Sequence, residues 1–216
     1  MGKLVPQDPS DEPASVLLKK IALEKQKLIK EGKIKKQKAL PAITENEIPF
    51  DIPESWEWVR FSDVIEIESN LVNPEDYKDY LQIGPDCIEK GTGKLIKKRT
   101  VKDAGIVSPN HLFFEGQIIY SKIRPNLRKV VLAPADGLCS ADMYPLATKL
   151  NHQFLIYYML TDVFTSSVLT SDTRALLPKV NQKQLNKVLI PIPPLKEQDR
   201  IQEKVTRILE ILPLKF

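Results

Sequence analysis

Three prolines, Pro191, Pro193 and Pro194, constrain this 216-residue chain more than any other feature. Each lacks a backbone N–H and fixes φ near −65°, so neither a laddered strand nor a helix interior should run through the group. The β-branched run at 188–192 therefore reads as a short strand that stops there. Residues 178–186, just before it, are polar and basic and read as a turn region. A helix is expected from Leu195, because Pro194 suits a first turn and Glu197 and Asp199 sit where the helix dipole favours acid. Ile201, Val205, Ile208 and Leu212 recur at steps of four and three, the spacing of a helix that pairs with another. A globular region thus ends at a proline hinge and passes into a pairing helix.

Upstream, a second helix is expected over 13–30, with Asp11 as its cap and Pro13 in its first turn. Ala14, Leu17, Leu18, Ile21, Leu28 and Ile29 form its apolar stripe, interrupted at Lys25. Nine lysines lie between Lys19 and Lys38, against Glu24 and Glu31. They read either as a solvated face and linker or as an arm that faces phosphates. Residues 39–53 form an acidic, proline-punctuated linker that marks a domain boundary. Trp56 and Trp58 then alternate as on a strand, which turns one large side chain toward a core; a base-stacking platform is the other reading.

The rest predicts a short helix over 61–69, strands over 80–84, 93–100, 117–121, 130–133 and 143–146, and a helical stretch over 154–169 broken near Thr161 and Asp162. Helices and strands do not alternate regularly, so the fold class is α+β rather than a doubly wound sheet. The expected organisation is an N-terminal helix and linker over 1–50, one mixed globular domain over 51–194, and the start of a spacer helix over 195–216. Both flanking helices are of coiled-coil type. No internal repeat is visible.

Bulk properties narrow the function classes. An apolar fraction of 42% suffices for a core, and no run approaches the roughly 20 apolar residues of a membrane span. The first residues lack the apolar stretch of a signal peptide, so a cytoplasmic location is expected. Cys87 and Cys139 have no CxxC partners and read as small core hydrophobes in a reducing compartment. A net charge of +4 decides little, but its distribution says more. Between Lys94 and Lys129, nine basic residues face only Asp103 and Glu115. Within that segment a strand gives way to a proline turn carrying Lys122, Arg124, Asn126 and Arg128. Arginine can grip phosphate or guanine with two parallel donors, and asparagine can read adenine the same way.

Catalytic parts are not legible. Lys90-Gly91-Thr92-Gly93-Lys94 suggests a phosphate loop, but Ile88 stands where its first glycine would be and Leu95 follows the lysine. Asn73-Pro74-Glu75-Asp76-Tyr77 has two acids inside what would be an amino-methyltransferase motif. Pro85-Asp86 and Glu89-Lys90 are too compressed for a metal-dependent nuclease, and His111 and His152 are the only histidines. Neither a cofactor nor a metal is expected.

Two stretches, Lys179-Val180-Asn181-Gln182-Lys183-Gln184-Leu185 and Ile190-Pro191-Ile192-Pro193-Pro194-Leu195-Lys196-Glu197-Gln198, resemble the end of a target-recognition domain in specificity (S) subunits of Type I restriction-modification systems. The likeness extends to Gly2-Lys3-Leu4-Val5-Pro6-Gln7-Asp8, to Asp11-Glu12-Pro13-Ala14-Ser15, to Ile52-Pro53-Glu54-Ser55-Trp56-Glu57-Trp58-Val59, to 120–129 and to Gly137-Leu138-Cys139-Ser140-Ala141-Asp142. The resemblance implies a non-catalytic module that reads one half of a bipartite double-stranded DNA site. It would place methyltransferase (M) subunits there and, through them, the restriction (R) subunit.

Residues shared by a family whose members read different sequences are poor base readers. Lys122, Arg124, Asn126 and Arg128 are therefore assigned to fold support or to contact with the DNA backbone. Base readers are expected in 94–102, with Lys97, Lys98 and Arg99, and in 170–181, with Arg174, Lys179 and Asn181. The single recognition domain and Pro213 beyond Leu212 lead to the expectation of a truncated form, a dimerising half-subunit or a gene rearrangement. The two helices would pack within one chain, or the C-terminal seam would meet its copy in a weak homodimer. A non-catalytic scaffold whose lysine-rich helix binds acidic protein is the competing reading; it would not bind duplex DNA selectively.

Overall fold

The computed structural model describes residues 2–169 and 178–211. In chain order, the first half contains α1 (Ala14–Lys30), β1 (Glu57–Arg60), α2 (Phe61–Val64), β2 (Ile65–Ile67), β3 (Leu71–Val72), β4 (Leu81–Ile83) and β5 (Asn110–Phe113). There follow β6 (Ile118–Ser121), β7 (Val130–Leu132), β8 (Gly137–Cys139), β9 (Met143–Thr148), α3 (His152–Met159), α4 (Asp162–Val168), α5 (Gln182–Lys187), β10 (Leu189–Ile192) and α6 (Leu195–Ile211). One sheet has the order β2-β9-β6-β7, a second β3-β5-β8-β4, and β1 pairs with β10 as a separate antiparallel ribbon. The architecture is mixed α and β, without regular alternation.

Burial explains why β6 carries an unbroken apolar run. All four of its residues are buried, and its two faces serve different cores. Ile118 and Tyr120 join α1, α2, α3, α4 and β10 in the larger cluster, while Ile119 joins Ile83, Cys87, Val131, Cys139 and Met143 in the space toward the second sheet. The side-chain period of two makes one strand the shared wall of both cores. Cys87 and Cys139 are free and fully buried, as small hydrophobes should be. Gly137 admits no larger residue: a Cβ there would lie 2.3 Å from both the Leu81 carbonyl and the Phe113 ring.

Several local expectations need correction. The helix expected over 61–69 ends at Val64, because Ile65 and Ile67 pair with β9 and enter a sheet. No strand forms over 93–100; Leu95 and Thr100 make only isolated bridges, to Ile88 and Leu81. Strands β3, β5 and β8 have no predicted counterpart, being too short or too mixed in polarity to give a period. The 178–186 region includes α5, started by Asn181, whose side chain accepts from Gln184 N at 2.9 Å while Gln184 Oε1 accepts from Asn181 N. Pro191 lies within β10, opposite Trp58. A two-stranded ribbon leaves β10 one unladdered edge, where a missing N–H costs nothing. Asp11 does not cap α1; it accepts from Arg200 at 2.6 Å and is buried.

That last contact belongs to the joint where the globular part hands over to α6. Glu197, in the first turn of α6, is 1% exposed. Its carboxylate accepts from Trp56 Nε1 at 3.0 Å and from Gln7 Nε2 at 2.6 Å. Gln7 Oε1 accepts from Ser55 Oγ, and Ala14 N donates to Ser55 O. Gly2, in a left-handed conformation, fits so closely on Pro53 that a Cβ would lie 2.3 Å from its ring. The fully buried Gln198 completes the joint, donating to Pro193 O and accepting from Asn151 N, both at 2.9 Å. Residues 2–15, 52–58 and 193–200, distant in sequence, therefore converge on one point.

Burial pushes the Glu197 carboxyl above its ordinary value of 4.5, against the hydrogen bonds from Trp56 and Gln7. A raised folded-state pKa means that stability is full below 4.5 and declines as pH rises through the raised value. Replacing Glu197 with Gln should flatten that decline, seen as a difference in urea midpoints across pH. Replacing it with Ala should cost roughly 1–3 kcal/mol for each buried donor left unpaired, measured as the loss of unfolding free energy at neutral pH.

Candidate nucleic-acid interface

The basic residues singled out in the sequence gather around two crossing backbone segments. Val180 N donates to Lys122 O at 2.8 Å and Arg124 N to Pro178 O at 2.9 Å, and Ile123 bridges Lys179. Lys122, Arg124, Lys179 and Asn181 are thereby brought onto one region from segments more than fifty residues apart. Lys122 Nζ sits 4.9 Å over the Tyr144 ring. Burial and the neighbouring Lys179 charge hold the Lys122 pKa below its ordinary value, with Asp142 opposing. Lys179 pairs with Asp142 at 2.8 Å. The turn at 140–142 is thus the acidic brace of this basic surface, and Lys122 N donates to Asp142 O.

The proline turn separates its two arginines. Arg124 and Arg128 both adopt a left-handed backbone, φ 47°, on either side of Pro125, Asn126 and Leu127. For a residue with a Cβ that conformation costs on the order of 1 kcal/mol. Arg128 has a visible compensation: it donates to Leu160 O at 3.1 Å and pairs with Asp162, which ties the turn to the α3–α4 junction. Arg124 is exposed and, among the described residues, its guanidinium has no partner. Asn126 is exposed beside it.

Lys97 and Arg99 are braced as well. Arg99 donates two bonds to Asp86, at 3.0 and 3.1 Å, and a third to Gln82 at 2.7 Å; Lys97 adds 3.2 Å to Asp86. Burial alone would raise the Asp86 pKa, but the Lys97 and Arg99 contacts win and hold it below the ordinary carboxylate range. Lys98 is exposed. This group is linked to the proline turn, since Lys129 Nζ donates to Pro85 O and Gly91 N to Leu127 O. In the sequence Asp86 reads as a rejected nuclease carboxylate and Asp142 lies within the family-like stretch, but neither reads as a partner of these cations, a role that spacing does not signal. Asn181 spends its side-chain oxygen on capping α5. Arg174 lies outside the described residues.

On the pairing helix, Ile201 packs with Trp56 and Phe154, with Val205 partly buried against them. Tyr157 Oη and Thr206 Oγ1 are 2.8 Å apart, so the first half of the α6 stripe faces α3 of its own chain. Ile208 is 38% exposed, and Leu212 lies outside the described residues. α1 turns Ala14, Leu17 and Ile21 into the larger core cluster.

Replacing Arg124 with Gly should relieve the left-handed strain and raise Tm by about 2–4 °C for a gain of about 1 kcal/mol. The same change at Arg128 removes its two tethers and should leave Tm unchanged or lower. Differential scanning calorimetry of the two variants separates the two roles.

A sequence-family model described as the Type I restriction modification DNA specificity domain matches residues 53–213. The chain is 44% identical over 170 residues to the Type I restriction enzyme EcoDI specificity subunit of Escherichia coli, covering 79% of this chain and 38% of that protein. It is 35% identical over 227 residues to the EcoAI specificity subunit of the same organism, covering 97% of this chain and again 38% of the relative. The chain thus spans little more than a third of these relatives. Among solved structures, the HsdS subunit from Thermoanaerobacter tengcongensis superposes with a TM-score of 0.68 at 24% identity, covering 78% of this chain and 45% of that one. A structure from a study of type I R-M complex assembly and conformational transition gives 0.56 at 18% identity, covering 91% of this chain and 46% of that one. Both are likenesses of fold.

Proposed function

The chain belongs to the Type I restriction-modification DNA specificity family, and from that premise we propose that it reads one half of a bipartite double-stranded DNA site. The observation that carries this reading is the braced basic surface at 122–128 and 178–181. It gathers cations from the middle and the C-terminal part of the domain: Lys179 is held on Asp142 and Lys122 lies over Tyr144, while Arg124 is left exposed beside them. Preorganised cations lose little entropy on meeting phosphate, and phosphate contacts set the register on which base contacts depend.

Lys122, Arg124 and Asn126 form the backbone-contacting group, with Arg128 supporting the turn. Lys97, Lys98, Arg99, Lys179 and Asn181, together with Arg174, which lies outside the described residues, are the readers. The domain proper is 51–194, with 1–50 as helix and linker and 195–216 as the start of the spacer helix. Ile201 and Val205 are spent against the domain, and Ile208, with Leu212 beyond the described residues, is the part of the α6 stripe proposed for coiled-coil pairing. The chain itself is non-catalytic and acts in the cytoplasm. Methyltransferase subunits do the chemistry on the DNA it selects, and the restriction subunit joins through them. A weak homodimer through the exposed end of α6 supplies the second half-site.

Binding-site selection with the chain and its methyltransferase subunit should enrich a single short half-site, or a split palindrome if the dimer forms. Enrichment of no sequence would overturn the reading. Replacing Arg124 with Gly should weaken binding to all duplexes alike and shallow the slope of log K against log salt by about 0.9 for one phosphate no longer neutralised. Light scattering over a concentration series should show mass rising with concentration, and Ile208→Asp should abolish the rise.

A further inference from the structure

A groove of about 870 Å³ runs between the segment after α1 and helix α5, away from the surface described above. Lys33, Lys35 and Lys38 line one wall, and Lys183 and Lys187 the other. Lys183 and Lys187 are four apart on α5, on the side opposite its buried Leu185. The two acids in the groove have other duties: Glu66 pairs with Lys25 at 3.4 Å and accepts from Gln37, and Glu68 accepts from Gln117 at 2.7 Å. Lys33 pairs with Glu31 outside the lining. Lys35, Lys38, Lys183 and Lys187 have no ion pair among the described residues.

The walls are held in place by the buried Arg60. It donates to Glu47 at 2.7 Å and to Pro41 O at 3.4 Å on the linker side, and to Lys187 O at 3.1 Å on α5. The lysine charges that line the groove repel each other, weakly where they are exposed to salt and water. With five lysines against Glu66 and Glu68, the groove carries an excess of positive charge, which attracts a polyanion. Along the chain the groove's α5 wall follows directly on the basic surface, since α5 begins at Gln182, after Lys179, Val180 and Asn181.

We infer that this groove is a second phosphate track, along which the DNA backbone continues from the recognition surface over α5 and onto the lysine arm at 33–38. The inference rests on the DNA-reading function proposed above and assigns five further residues to it. It carries affinity and not sequence choice, because lysine ammonium groups are point charges without a directional pattern.

The test uses the full chain and mixed-sequence duplex DNA, titrated over a range of salt. Lys183→Ala with Lys187→Ala, and separately Lys35→Ala with Lys38→Ala, should each shallow the slope of log K against log salt by up to about 1.8, at about 0.9 for each phosphate no longer neutralised. Sequence preference in the selected pool should stay as in the parent chain, and Tm should hold or rise as like-charge repulsion is relieved. Slopes unchanged in both pairs, with the parent chain still binding duplex, overturn the track and leave the proposed function standing. A parent chain that binds no duplex even at low salt overturns both. Unchanged duplex slopes together with abolished binding of polyglutamate would assign the groove to an acidic protein and overturn the DNA track.

Discussion

The buried carboxylate of Glu197 is the contact on which the handover between domain and helix depends. It sits in the first turn of α6, takes donors from Trp56 and Gln7, and is almost wholly shielded from water. An ionisable group in that position is stable only if its oxygens are satisfied. The surroundings supply this from two segments that never approach it in sequence. Arg200 with Asp11 and Gln198 with Asn151 and Pro193 repeat the pattern around it. The direction in which α6 leaves the domain is therefore fixed by polar geometry, with Trp56, Phe154 and Ile201 adding a small apolar cluster.

Acids also organise the basic surface. Asp86 holds Lys97 and Arg99, Asp142 holds Lys179, and Asp162 holds Arg128. Such exposed pairs add little to stability. Their physical effect is to reduce the number of conformations a long cationic side chain samples. Arg124 is the contrast: its backbone is strained and its side chain is unbraced among the described residues. Lys35, Lys38, Lys183 and Lys187 of the groove share that lack of an ion pair among the described residues.

Much of the fold was legible in the sequence where a single physical rule dominated. Pro193 and Pro194 follow the last residue of β10 and force the change from strand to helix, and α6 begins at Leu195 as they require, whereas Pro191 is accommodated within the strand. The apolar runs that became β4, β6, β7 and β9 were legible because each is buried on at least one face, and the break at Thr161 because its hydroxyl caps α4. The short strands β3, β5 and β8 were not, since two to four residues carry too little periodicity to outweigh mixed polarity. The stretch over 61–69 misled because Ile65 and Ile67 have the apolar character of either a helix stripe or a strand face. Only the partner β9 decided between them.

The sequence by itself determined the family likeness, the proline hinge, the amphipathic α6 and which segments carry excess positive charge. These are local properties of composition and spacing. Tertiary structure alone decided which cations stand together: Lys122 and Arg124 meet Lys179 only because their backbones bond across more than fifty residues of chain. It decided too that Asp11 serves Arg200 rather than its own helix, and that the lysine arm faces Lys183 and Lys187. Charge pairing and groove formation depend on distances through space, and a linear order of residues does not contain those distances until the apolar cores have fixed them.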